Sequence, residues 1–171
     1  MSSTYRITLP IEQKKLEKLN AGDIVYLTGK LFTARDKAHK KSLSTPFPFK
    51  DVDTIYHCGP LVKDGKLISA GPTTSSRMDD YTPDLIGHDT IRLIIGKGGM
   101  GSRTSDSLKG KGVYLAMTGG CGALATKSLK VVEQKWKELG MAESLWLLQA
   151  NEFGPLVVSI DSRGNSLYSR E

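Results

Sequence analysis

Apolar residues fall in short runs along this chain, and each run stops at a glycine, a proline or a polar cluster. Ile24-Val25-Tyr26-Leu27 predicts a strand that Thr28-Gly29 breaks, with Lys30 to Thr33 as a second extended piece. Thr54 to Cys58 predicts a strand ending at Gly59-Pro60. Leu61-Val62 and Leu67-Ile68, on either side of Lys63-Asp64-Gly65-Lys66, predict a hairpin. Further strands are expected over Thr90 to Ile95, Gly112 to Met117, Ser144 to Leu148 and Leu156 to Ile160. A turn at Asp161–Asn165 and a last extended piece, Ser166 to Tyr168, follow.

Helical signals lie between these runs. Ile11 to Leu19 reads as a short amphipathic helix beginning near Pro10. Ala34 to Leu43 is rich in helix formers, with Thr33 as the expected N-cap. Ser76 to Leu85 is a further candidate. The best-defined helix is expected after Thr118-Gly119-Gly120, where Leu124, Ser128, Val132, Trp136 and Leu139 share one face and Gly140 ends it. Pro46 and Pro48 forbid regular structure around Phe47. The interleaving predicts an α/β fold: one domain over 1–171, with a mixed sheet and edge hairpins.

Composition sets limits on this picture. The 171 residues are 39% hydrophobic and 25% charged, enough for a core without disulfide staples. The formal charge of +6 suits an anionic substrate or an acidic partner, and for most lysines simply a solvated surface. Cys58 and Cys121 are too few to hold an iron–sulfur cluster or a structural zinc, and they lack CxxC spacing. Both thiols are expected free and buried in a reducing cytoplasm, because Met1 to Thr8 lacks a signal-peptide core. His39, His57 and His88 stand apart in sequence, without metal-ligand spacing, and His57 reads as a satisfied, partly buried histidine.

Four polar motifs carry candidate chemistry. Thr33-Ala34-Arg35-Asp36-Lys37-Ala38-His39 centres on an arginine, although Arg35 and Asp36 could be an ordinary surface pair. Gly71-Pro72-Thr73-Thr74-Ser75-Ser76-Arg77 sets hydroxyls beside a second arginine; they could bind a carboxylate or cap a helix. Arginine grips a carboxylate through a planar fork, and lysine adds a point charge. Gly96-Lys97-Gly98-Gly99-Met100-Gly101 is a literal GxGxxG after a strand. The polar stretch Ser102 to Gly112 and the lack of an acid near position 120 argue against a dinucleotide site. A turn presenting Lys97 and backbone N–H groups to an anion fits, and so does a turn with no ligand. Thr118-Gly119-Gly120-Cys121-Gly122 could bind an anion at a helix start or pack closely on a neighbour. Cys121 reads there as a small buried residue rather than a catalytic thiol.

In order, these motifs and the terminal Phe153-Gly154-Pro155 and Ile160-Asp161 hairpin resemble the C-terminal domain, or separate β subunit, of class I iron–sulfur fumarate hydratases and L-tartrate dehydratases. The resemblance runs from about Leu9 to Tyr168 and implies a swivelling β/β/α domain. It implies a [4Fe–4S] cluster carried by a partner α subunit and none bound by this chain, in an assembly of two α and two β subunits. It assigns substrate binding to Arg35, Arg77 and Lys97, and proton transfer to Thr73. The implied reaction is reversible hydration of fumarate to malate, with L-tartrate dehydration or mesaconate hydration as alternatives. A basic nucleic-acid-binding module is the rival of another class; it would want aromatics interleaved with lysines, and aromatics are only 7%.

Overall fold

The computed structural model describes residues 2–88 and 90–168, without the side chain of His88. The elements in chain order are β1 (Thr4–Thr8), α1 (Gln13–Leu16), β2 (Ile24–Thr33), α2 (Asp36–Ser42), β3 (Thr54–Tyr56), β4 (Leu61–Lys63), β5 (Lys66–Ser69), α3 (Thr82–His88), β6 (Leu93–Gly96), α4 (Ser102–Leu108), β7 (Val113–Ala116), α5 (Gly122–Ala125), β8 (Leu129–Lys135) and β9 (Leu145–Ile160). Short 3-10 turns occupy Ser75–Met78 and Lys137–Leu139.

Seven strands form one mixed sheet in the order β1-β2-β3-β6-β7-β9-β8, and β2 also pairs with β9. That extra pairing closes β2, β3, β6, β7 and β9 into a ring. The segment β2-β3-β6-β7 is parallel, while β9 runs antiparallel to both ends of it. Closure removes two sheet edges that would otherwise present unpaired backbone groups. Strands β4 and β5 form the expected hairpin.

The core lies on both faces of the sheet. Ile55 and Tyr56, Ile94 and Ile95, and Tyr114 and Leu115 are neighbours that enter opposite apolar clusters. Strand residues alternate faces, so a strand covered on both sides reads as a continuous apolar run. One cluster takes Ala38, Leu85, Ile86 and Leu108 from the helices; the other takes Ile7, Leu16 and Leu19 from the amino-terminal segment.

Several local expectations are corrected. Thr28-Gly29 does not break β2. It bends it through register shifts against β9, with Gly29 at φ +133° and Leu9 packed where a Cβ would stand. Thr33 does not cap α2; it ends β2 and its Oγ1 accepts from the Trp146 N–H at 3.2 Å. The segment Ser76 to Leu85 divides into a 3-10 turn and α3, and Ile11 to Leu19 keeps only α1 followed by turns. The largest correction concerns Leu124 to Leu139. Helix is confined to α5 and the 3-10 turn Lys137–Leu139, and Leu129–Lys135 between them is edge strand β8 paired with β9. Sheet pairing overrides the helical periodicity there: β-branched Val131 and Val132 suit a strand, and exposed Lys130 and Lys135 suit an edge. Trp136, at φ +53°, turns the chain out of the sheet.

Candidate functional site

The parallel segment explains why motifs far apart in sequence meet. Strands β2, β3, β6 and β7 point the same way, so the residues after each emerge at one edge. These are Arg35-Asp36, His57-Cys58-Gly59, Lys97, and Met117 to Gly119. In open parallel sheets, ligands bind outside this carboxyl edge. The Thr73 loop joins by returning from the β4–β5 hairpin. Cys58 bridges Pro72 and Thr74 bridges Lys97. The Thr73 N–H donates to the His57 carbonyl at 2.8 Å, and the Lys97 N–H donates to the Thr73 carbonyl at 3.2 Å.

Side chains complete the junction. Arg77 Nη2 donates to Asp36 Oδ2 at 2.8 Å and to Thr73 Oγ1 at 3.1 Å. Arg35 Nε stands 4.0 Å from Asp36 Oδ2 and 3.5 Å from Glu143 Oε1, and makes no hydrogen bond although buried. Asp36 is thus shared between two arginines, which is more than the surface pair its sequence position suggests. Gly59 gives Arg35 passage: a Cβ there would come within 2.5 Å of Nη1. Gly119 does the same for Lys97, whose Cδ would lie 3.1 Å from an added Cβ. Arg77 and Lys97 are exposed, and Thr73 and Arg35 partly so. The four sequence-predicted residues therefore adjoin one another on one rim through a continuous set of contacts.

Sequence reasoning missed Glu143, His39 and Ser75. Glu143 accepts the Lys37 N–H at 3.0 Å as well as facing Arg35, fastening the start of α2. It sits in a loop and shows no periodic or motif signal. His39 closes the Arg35 motif, and its Nδ1 lies 2.8 Å from the Arg35 carbonyl. Burial pushes its pKa down to about 4. Burial, with His39 and Arg77 nearby, also lowers that of His57, which is fully buried rather than partly so. The His57 Nδ1 meets Ser75 Oγ at 2.8 Å.

The GxGxxG turn behaves differently. A helix, α4, does open after it, contrary to expectation. The N–H of its N-cap residue is already taken: the Gly101 N–H donates to both Asp79 carboxylate oxygens at 3.0 Å, and the Thr104 hydroxyl donates to Oδ1 at 2.8 Å. The Tyr168 ring lies against Gly99. A pyrophosphate has no place there. At the Thr118 turn, close packing prevails. Gly122 abuts Gly71, and its carbonyl accepts the Ala70 N–H. Cys121 is only half-buried and its thiol donates to the Thr118 carbonyl at 2.7 Å.

The two thiols do not suit a cluster ligand set. A ligand must be a thiolate, and burial pushes the Cys58 thiol up to about 12. Among the described residues no group of three His, Cys, Asp or Glu could hold a metal ion, and no helix is long and apolar enough to cross a membrane.

The architecture is a mixed α/β domain presenting arginines, a lysine and hydroxyls at the carboxyl edge of a parallel strand set. The chain belongs to the fumarase C-terminal family: the family model described as Fumarase C-terminus matches residues 2–171. It is 41% identical to the L(+)-tartrate dehydratase subunit beta of Escherichia coli K12 over 170 residues, covering 94% of this chain and 85% of that one. It is 44% identical to a putative L(+)-tartrate dehydratase subunit beta of Methanocaldococcus jannaschii over 172 residues, covering 92% and 88%. A putative class I fumarate hydratase of Geobacillus stearothermophilus is 38% identical over 167 residues, which span 93% of this chain and 32% of that protein. The same unit thus occurs both as a named subunit and as part of a longer chain.

Proposed function

We propose that this chain, acting as one domain over 1–171, is the β subunit of a two-subunit iron–sulfur hydro-lyase that interconverts fumarate and malate. The observation that carries the reading is Arg77, which holds Asp36 and Thr73 together beside Arg35 and Lys97. Two β subunits would assemble with two α subunits in the cytoplasm, and the [4Fe–4S] cluster would belong to the partner.

Arg35, Arg77 and Lys97 bind the substrate carboxylates. Two carboxylates close together repel, and fixed cations hold them in one orientation without reorganising during the reaction. In the hydration direction, one alkene carbon gains hydroxyl and the other gains a proton. Thr73 Oγ1 gives that proton to carbon, and the proton that water loses in supplying its hydroxyl returns to Thr73, so that water and fumarate balance malate. The guanidinium of Arg77 already donates to this oxygen and stabilises the negative charge left when the hydroxyl gives up its proton. Asp36 keeps Arg77 aimed and sets how much positive charge the rim offers.

L(+)-tartrate is the second substrate reading, favoured by the names of relatives at 41% and 44% identity. Its two carboxylates engage the same cations. Anaerobic co-expression with the partner subunit, followed by assays on fumarate, malate, L-tartrate and mesaconate, tests the proposal. Turnover requires both chains. Turnover by this chain alone, or a cluster absorbance in the pure subunit, would overturn the division of labour.

A further inference from the structure

Two fully buried histidines lie beneath the clamp, and the reaction as described uses neither. The rings of His39, on α2, and His57, after β3, have centroids 5.0 Å apart. Each has one partnered nitrogen, Nδ1, and one buried nitrogen without a partner, Nε2. The partners fix the tautomers. A carbonyl oxygen only accepts, so His39 Nδ1 carries a proton and gives it to the Arg35 carbonyl. For His57 the choice follows from what each nitrogen can reach. Nε2 is buried with no acceptor, so a proton there would be an orphaned donor, whereas Nδ1 has the Ser75 oxygen at 2.8 Å to give it to. Both rings are Nδ1–H tautomers with a bare Nε2.

Their surroundings favour the neutral form. His39 packs against Phe47, Tyr81 and His57, and Asp36 is the acid near enough to draw a proton toward it. His57 meets His39, Ser75 and the field of Arg77, which opposes its protonation. An imidazolium at His39 would be buried beside Arg35 and would compete with the arginines for Asp36.

We infer that His39 and His57 are positioning residues, two neutral imidazoles whose Nδ1–H donors hold Arg35 and the Thr73–Arg77 loop in the geometry that grips a dianion. His39 fastens the backbone of Arg35, whose buried Nε has no acceptor of its own. His57 fastens the loop twice: its carbonyl accepts the Thr73 N–H, and its ring donates to Ser75. Gly96 leaves the room this needs, since a Cβ there would come within 1.7 Å of Ser75 Oγ and 3.2 Å of His57 Nδ1. The first glycine of the GxGxxG run thus serves the histidine shelf rather than a nucleotide.

Asparagine places an N–H donor where Nδ1 stands, and leucine removes it. The first arm of the test reads the full chain labelled with ¹⁵N-histidine by long-range ¹⁵N–¹H correlation, with His39→Asn and His57→Asn assigning the signals. Both rings should show the Nδ1–H pattern unchanged from pH 8 to 5.5. An Nε2–H pattern, or titration near the ordinary histidine value of about 6.5, overturns the inference. The second arm rests on the proposed hydro-lyase activity and uses the complex with the partner subunit. His39→Leu and His57→Leu should each lower kcat/KM per assembled enzyme by about tenfold or more, with KM rising, and the asparagine variants should recover most of the loss. Equal losses in both variants, or fewer assembled enzymes with unchanged kcat/KM, overturn it. A wild-type complex that turns over no diacid defeats the activity, and the spectrum still decides the histidines.

Discussion

The rim after β2, β3 and β6 and the glycine turn before α4 both carry the marks of an anion site, yet they are opposites. The rim has Arg35, Arg77 and Lys97, with one shared acid, Asp36, and one flanking acid, Glu143. Its side chains remain partly or largely exposed. Apart from Lys97, which it lends to the rim, the glycine turn has only backbone donors, and Asp79 already occupies the Gly101 N–H together with the Thr104 hydroxyl. A motif names the donors that a segment owns; only the fold shows which have been taken by the protein's own carboxylates. An anion site needs donors in excess of internal acceptors, and only the rim has that excess.

The strongest way to break the comparison is to remove the rim's central cation. Arg77→Ala should lower kcat of the assembled enzyme by about 10²–10³-fold, the usual effect of losing one preorganised donor. Arg77→Lys should recover little, because an ammonium cannot bridge Asp36 and Thr73 as the guanidinium does. Steady-state kinetics at matched cluster content would check this. Wild-type turnover in Arg77→Ala would reduce the rim to ordinary surface.

The regions should also differ in pH response, because only the rim rests on buried histidines. The folded pKa of each ring lies below its unfolded value of 6.5. The unfolded chain therefore binds protons first as pH falls. Stability from these rings is full above about 6.5 and declines below it, by ~1.4 kcal/mol per pH unit per ring. His39 stops contributing to the slope near its folded pKa of about 4. Asp53, raised by burial, works in the opposite sense near the carboxylate range. Urea unfolding at pH 7, 6 and 5 should show a clear fall across the last interval. A flat profile would show that the histidines are solvated.

Much of this contrast was legible in the sequence. The apolar runs located β2, β3, β6 and β7, and the motifs after β2, after the β4–β5 hairpin and after β6 carried Arg35, Thr73 with Arg77, and Lys97. Meeting at one edge required parallel pairing, which periodicity does not encode. The helix expected over Leu124 to Leu139 failed because its 3.6-residue spacing came from a two-sided edge strand, and β9 offered it a ladder of hydrogen bonds. Asp79 as an internal plug was illegible for the same reason that Glu143 was. Each acts across more than twenty residues of chain, on a partner that only the fold supplies.

Removing the plug tests the other side at smaller scale. Asp79→Ala leaves the buried Thr104 hydroxyl and the Gly101 N–H without their acceptor. Losing a helix-start acceptor costs ~1 kcal/mol, and an unsatisfied buried hydroxyl adds a similar amount. Chemical unfolding should show a loss of about 2 kcal/mol, while kcat/KM per folded enzyme stays near wild type. A collapse of activity without loss of stability would place Asp79 in the site and merge the two regions.

The smallest effect is direct anion binding by this chain alone. The rim would be half of a site, so a diacid should bind weakly, and its binding should weaken further with salt because these cations face solvent. Backbone amide shifts during malate or L-tartrate titration should move at Arg35, Thr73, Arg77 and Lys97. Those of Gly101 to Thr104 should stay still, because Asp79 would have to leave before an anion could enter. Adding ADP should likewise leave the α4 start unchanged. Shifts concentrated at Gly98 to Ser102, with a silent rim, would invert the comparison: the plug would then be a displaceable gate, and the arginines a structural network that satisfies itself through Asp36 and Glu143.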